Sequence, residues 1–245
     1  MLRSRELLAL AVMITLPLPG LAETFEFTGK ATSEDGRGLY SEKHQLEGEC
    51  REGLFHPKTD RVRYLQDGNE FARKTLSYDQ SPLLPSVDFR QPRFEESLAI
   101  SYPRAGRTRI QWQAPSGEQK TWTIDTPEDL VVDAGFDNLV RENWARLKAG
   151  NDVRFRFLAP TRGDHYGFVL EPDDHPDINA DLEVTIHPTG MLLGFLVDPI
   201  GLGYDRNGAL TDYVGLTNIR KNSDENYRAH IRYNVTRWPE CELTR

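Results

Sequence analysis

From Tyr227 to Val235 the chain alternates without a break: Tyr227, Ala229, Ile231, Tyr233 and Val235 are interleaved with Arg228, His230, Arg232 and Asn234. Successive side chains of an extended strand point to opposite faces, so this segment carries one apolar face and one polar face. A helix would scatter both sets around its circumference. The same period recurs in Val153, Phe155 and Phe157 against Arg154 and Arg156, and in Ile110, Trp112 and Ala114 against Arg109, Gln111 and Gln113. It returns in Leu182, Val184 and Ile186 against Glu183, Thr185 and His187, and in Phe25 and Phe27 against Glu26 and Thr28. One buried face and one wet face belong to antiparallel sheet, because parallel strands are covered on both sides and read as continuous apolar runs. Turn dipeptides at Asp35-Gly36, Asp67-Gly68, Ala105-Gly106, Ser116-Gly117, Gly150-Asn151, Arg162-Gly163 and Asn207-Gly208 mark the reversals of a meander. About ten strands are expected, within the usual range for a sandwich or a barrel. The fold class is mainly β: a curved antiparallel sheet, forming an open barrel or half-barrel.

One helix interrupts the strands. Phe136, Leu139, Val140, Trp144 and Leu147 recur at helical spacing with Arg141, Glu142, Arg146 and Lys148 turned away, and Gly150 is placed to end it. Asp133 is positioned to cap its start, and Thr126-Pro127-Glu128-Asp129 has the form of a capping box opening a short preceding turn. A single amphipathic helix in such a chain covers one open face or end of the sheet, with Trp144 as its anchor. The run Met191-Leu192-Leu193-Gly194-Phe195-Leu196-Val197 is apolar on both faces and is followed by Pro199, Gly201 and Gly203. Cover on both sides fits a strand beneath the helix; it also fits the wall of an apolar cavity.

Residues 1–22 read as a secretory signal peptide. Arg3 and Arg5 precede an apolar run from Leu7 to Leu16, followed by Pro17, Pro19 and the small-residue pattern Gly20-Leu21-Ala22. The run is shorter than the roughly 20 apolar residues a membrane-spanning helix needs. Residues 23–245 then form a single exported β-rich domain, expected in the periplasm, with no linker, repeat or charge block to divide it. The formal charge of −8 becomes −9 once Arg3, Arg5 and Glu6 are removed. That acidity argues against extended nucleic-acid binding, which draws on a basic surface. The chain has 2 cysteines, Cys50 and Cys241. In an oxidising compartment one disulfide is expected ahead of two free thiols or a metal site.

Candidate chemistry is sparse. His165, Asp173, Asp174, His175, Asp177 and His187 fall close together, but they lack the spacing of a calcium loop or a zinc site, so a solvated acidic loop is expected and no metal. No nucleophile elbow or comparable motif is present. Glu95 and Glu96 are adjacent, so in a strand they would face opposite ways. Arg61 and Arg63, Arg107 and Arg109, Arg154 and Arg156, and Arg228 and Arg232 lie on wet strand faces. Pairing with neighbouring carboxylates is expected ahead of a basic binding surface. Asn234-Val235-Thr236 matches a glycosylation sequon but falls within a strand.

The segments Gly38-Leu39-Tyr40-Ser41-Glu42-Lys43-His44, Asp133-Ala134-Gly135-Phe136-Asp137-Asn138 and Tyr213-Val214-Gly215-Leu216-Thr217-Asn218-Ile219 together resemble uncharacterised exported β-rich proteins of Gram-negative bacteria. In outline the arrangement is similar to the lipoprotein-carrier-like half-barrels, in which a curved sheet wraps a helix and shelters an acyl chain. What the resemblance implies is architecture, not site residues.

The functional expectation is a periplasmic binding or carrier protein for an apolar or amphiphilic ligand, a lipid or other small molecule. Trp144, Met191, Leu193 and Phe195 are the candidate contacts, and no cofactor is expected. Two alternatives stand beside it. One is an exported hydrolase using His44, His165 or His230 with a nearby acid, and His44 shares its strand face with Tyr40 and Leu46. The other is an envelope assembly protein without a small ligand.

Overall fold

The computed structural model describes residues 22–190 and 198–245. The chain opens with β1 (Ala22–Thr32), β2 (Gly38–Arg51), β3 (Leu54–Gln66), β4 (Asn69–Ser77), β5 (Ser86–Gln91), β6 (Glu96–Arg104), β7 (Arg107–Gln113) and β8 (Gln119–Asp125). There follow β9 (Leu130–Val131), α1 (Gly135–Glu142), α2 (Trp144–Lys148) and then β10 (Val153–Ala159), β11 (Asp164–Pro172), β12 (Leu182–Pro188), β13 (Ile200–Tyr204), β14 (Leu210–Arg220) and β15 (Asn226–Arg237). Among the described residues all 15 strands form one sheet, in the order β8-β7-β6-β5-β4-β3-β2-β1-β15-β14-β13-β12-β11-β10-β9. Every pairing is antiparallel except that of β9 with β10.

That order dictates the curvature. β8 and β9 lie at opposite ends of the sheet, yet only residues 126–129 separate them in the chain. Fifteen strands laid flat would measure about 65 Å across. The connection can bridge no more than about 18 Å. The sheet must therefore curl until its two ends are neighbours, and the right-handed twist of its strands supplies the bend. Contacts across the gap hold it there. The Val132 amide donates to the Leu83 carbonyl at 3.0 Å, the Asn138 side chain donates to the Pro82 carbonyl at 2.9 Å, and Trp122 of β8 lies against Gly163 at the start of β11.

The alternating segments are strands as expected, and the glycine of each expected turn, from Gly36 to Gly208, has a positive φ. The estimate of about ten strands is too low. β4, not among the expected alternating segments, carries the charged Lys74 inside its apolar face. The expected helix is divided into α1 and α2 at Asn143, whose φ of −107° and ψ of 17° leave the helical region. Its side-chain amide donates to the Leu139 carbonyl at 2.9 Å, a local bond that competes with the helix ladder. Gly150 ends α2 with a φ of +79°. Asp133 does not cap α1: its carboxylate holds Lys74 and the Ala134 amide instead. Thr126 likewise caps nothing, because its hydroxyl is bonded to Thr108 at 2.7 Å, and residues 127–130 form a turn closed by the Leu130 amide on the Pro127 carbonyl.

Three apolar clusters result. The first fills the curl of β2 to β7 and includes Val62, Leu76, Phe89 and Ile110. The second packs Leu139, Val140, Trp144 and Leu147 of the helices onto Leu170, Val184, Leu202 and Tyr204 of the other half-sheet. The third gathers Phe25, Phe27, Leu46 and Phe55 around Leu243 of the C-terminal tail. Cys50 and Cys241 are joined in a disulfide across a sequence separation of 191 residues. Beside it the Phe55 amide donates to the Glu242 carbonyl at 2.8 Å, so the tail is fixed along the start of β3. The charged faces look outward: Arg61 pairs with Glu47, Arg63 with Glu70, Arg107 with Asp125 and Arg156 with Asp129. No described helix is long and apolar enough to cross a membrane. The segment 1–21 of the expected signal peptide, and Met191, Leu193 and Phe195 with the rest of 191–197, lie outside the described residues; Ala22 begins β1 opposite Glu49.

Candidate functional site: a cavity with buried charges inside the curled sheet

The curl encloses a cavity of about 370 Å³, a size typical of small-molecule sites. Its apolar walls include Phe27, Leu46, Tyr64, Phe89, Phe157 and Ile231. Among them stand charged side chains that strand alternation turns inward. On β2, Tyr40, Glu42, His44 and Leu46 share the inner face; on β3 Asp60 lies beside Val62 and Tyr64; on β4 Lys74 lies between Ala72 and Leu76. Register brings them together, since Leu46 is opposite Asp60, and Val62 is opposite both His44 and Lys74.

His44 is held by both ring nitrogens. Nδ1 lies 3.1 Å from Asp60 Oδ2 and Nε2 lies 3.1 Å from Glu42 Oε2, while Phe27 stacks on the ring at 4.3 Å between centroids. Burial works against its charge, but the Asp60 carboxylate and then that of Glu42 outweigh it and push the pKa up to about 9. At neutral pH His44 is therefore an imidazolium that donates two hydrogen bonds. It has no lone pair with which to act as a base. The Tyr233 hydroxyl donates to Glu42 Oε2 at 2.8 Å, which completes the fixation of that carboxylate. Among the described residues Asp60 Oδ1 is buried without a hydrogen-bond partner, and so is the Tyr40 hydroxyl, which lies outside the cavity lining. Buried polar atoms nearly always find partners, so Asp60 Oδ1, on a lining residue, is a position at which a bound molecule or water would be held.

Lys74 forms the second pair, with Nζ 2.8 and 2.9 Å from the two Asp133 oxygens. Asp137 is a fourth acid of the lining. Burial raises its pKa, the nearby Arg141 guanidinium opposes that rise, and the Tyr204 hydroxyl donates to it at 2.8 Å. A fourth group is a structural clasp: Arg220 of β14 grips Glu96 of β6 at 2.7 and 2.8 Å, and Trp112 and Gln91 each donate to the same carboxylate at 2.9 Å. With the Arg220 amide on Gln91 Oε1 at 2.9 Å, this network ties the two halves of the sheet together across the interior.

The residues singled out in the sequence divide among these places. Trp144 is buried edge-on against Tyr204, with centroids 6.3 Å apart, in the helix-to-sheet core, and it is absent from the cavity lining. His44 lines the cavity. His230 pairs with Asp212 at 2.7 Å outside it, and His165 is half-exposed beside Arg156. His187 pairs with Glu171 at 3.0 Å, and no described cluster of three ligating side chains could hold a metal. Glu42, Asp60, Lys74 and Asp133 were missed by sequence reasoning. The signal was there, because the period that faces Val62 and Tyr64 inward faces Asp60 inward too.

No protein-family model matches this chain. No curated protein matches it either. Among solved structures, the crystal structure of a β-barrel-like protein of domain of unknown function DUF1849 from Brucella abortus is similar over 88% of this chain and 95% of its own, at 11% identity and a TM-score of 0.40. A likeness of that size assigns no function and transfers no residue role.

Proposed function

We propose that this is a periplasmic binding or carrier protein for an amphiphilic small molecule held inside the curled sheet. The observation that carries the reading is the cavity of about 370 Å³ inside the curl, whose walls are largely aromatic and aliphatic and which is lined on one side by His44, Asp60, Lys74 and Asp133. An apolar body fits the walls, and Asp60 Oδ1 can accept a hydrogen bond from a bound water or from a donor group carried by that body. Met191, Leu193 and Phe195 are carried into this reading as proposed apolar contacts of the ligand.

A hydrolase reading fits less well, because His44, the histidine in the cavity, is a doubly bonded imidazolium and not a base. The deciding experiment is native mass spectrometry of protein purified gently from the periplasm, followed by organic extraction. A stoichiometric amphiphile is the expected result. An apo mass, together with no uptake of a neutral apolar dye, overturns the proposal and favours an assembly role without a small ligand.

A further inference from the structure

The cavity shares lining residues with the outer surface at the seam where the two ends of the sheet meet. Thr161, Arg162 and Tyr166 line the cavity and also a shallow surface depression whose other wall is Lys120, Thr121 and Trp122 of β8. The close approach of the two walls depends on a missing side chain: a Cβ on Gly163 would lie 2.3 Å from the Trp122 ring, so glycine lets the indole sit directly on the backbone beside Arg162. This is the junction that the four-residue link between β8 and β9 enforces.

Outer arginines such as Arg61, Arg63 and Arg90 are held by carboxylates, whereas Arg162 at this seam, like Arg73 and Arg109 elsewhere, has no ion pair among the described residues. Among the described residues no carboxylate lies within ion-pair distance of Arg162, whose guanidinium rests 5.9 Å from the centre of the Tyr166 ring. Lys120 lies 5.7 Å from the Trp112 ring, and its acidic neighbour is Glu118, 3.1 Å away and well exposed. The other carboxylates of the region are engaged: Asp125 by Arg107, Asp129 by Arg156, and one oxygen of Asp164 by the His165 amide. An exposed guanidinium without a counter-ion, beside an ammonium and two aromatic rings, recognises an anion attached to an apolar body.

We propose that this mouth binds the anionic head group, carboxylate or phosphate, of an amphiphile whose apolar part enters the cavity. The proposal rests on the cavity being the ligand site. Arg162 supplies the fork for two oxygens, Lys120 a second cation, and Trp122 and Tyr166 flank the first methylenes of the tail.

The test displaces a neutral naphthylamine dye, which fluoresces in apolar surroundings, with decanoate, decyl phosphate or decyltrimethylammonium at low salt. The full exported protein is compared with Arg162→Gln/Lys120→Gln. One or both anions are expected to displace the dye at about tenfold lower concentration than the cation, the size expected for two partly screened ion pairs, and the better anion names the head group. The double variant should lose the preference, with displacement by each amphiphile read against the dye affinity measured for that variant itself. Equal displacement by anions and cation, or a preference that survives in the variant, overturns the head-group assignment while leaving the cavity reading standing. Failure of the dye and of all three amphiphiles to bind overturns both.

Discussion

Raising the pH from 6 to 9.5 should weaken the fold through a single side chain, His44. In the unfolded chain a histidine titrates near 6.5, whereas here the Asp60 and Glu42 carboxylates overcome burial and raise the pKa to about 9. The folded state therefore binds the proton more tightly than the unfolded state. Its contribution is complete below about pH 6.5, falls by about 1.4 kcal/mol per pH unit above that, and is gone above about pH 9. The whole contribution is about 3 kcal/mol. With a urea m-value of about 3 kcal/mol/M, the midpoint moves by roughly 1 M. Other groups titrate in the same window, so the quantity to measure is the difference between the native protein and His44→Gln, by urea denaturation at several pH values. His44→Gln leaves Glu42 and Asp60 facing each other without a cation and should cost about 3–5 kcal/mol at pH 6. The gap between the two proteins should then shrink by about 3 kcal/mol by pH 9.5. A gap that stays constant across this range would refute the assignment of His44 as a buried imidazolium.

Three further outcomes follow from the same geometry. Cys50→Ser/Cys241→Ser should lower the Tm by roughly 10–20 °C, since a loop of 191 residues corresponds to about 5 kcal/mol at most, and an unchanged Tm would show that the tail is held by its packing alone. Glu96→Gln should cost about 3–5 kcal/mol in urea denaturation by stranding the Arg220 guanidinium between the half-sheets, and the apolar pair Glu96→Leu/Arg220→Met should recover most of it; a single variant within about 1 kcal/mol of the native protein counts against the clasp. Gly163→Ala combines a φ of +64° with a clash against Trp122 and should destabilise by about 1–3 kcal/mol while shifting tryptophan emission as the seam opens, so an unmoved spectrum and Tm would mean that the indole is free to leave.

Local geometry was legible in the order of residues. The alternation from Tyr227 to Val235 sets which side chains of β15 face inward, because strand period is a property of the backbone, and a glycine such as Gly36 fixes a reversal because positive φ is cheap there. The two cysteines and the helical spacing of Leu139, Val140 and Leu147 were equally legible, since each depends on neighbours in the chain or on the count of a rare residue. The break at Asn143 was not, because it turns on one side-chain amide choosing the Leu139 carbonyl.

Tertiary structure alone decided what the inward charges meet. An inward Asp60 reads as an exception until register sets it beside His44, and Lys74 reads as surface charge until the link from β8 to β9 carries Asp133 to it from 59 residues away. Arg220 and Glu96, 124 residues apart, become a clasp only when the sheet curls, and Arg162 and Lys120 share a mouth only because its two ends meet. The physical reason is the same in each case. Periodicity states the face a side chain occupies, but curvature and register set its distance from every other face, and those are properties of the closed arrangement of strands.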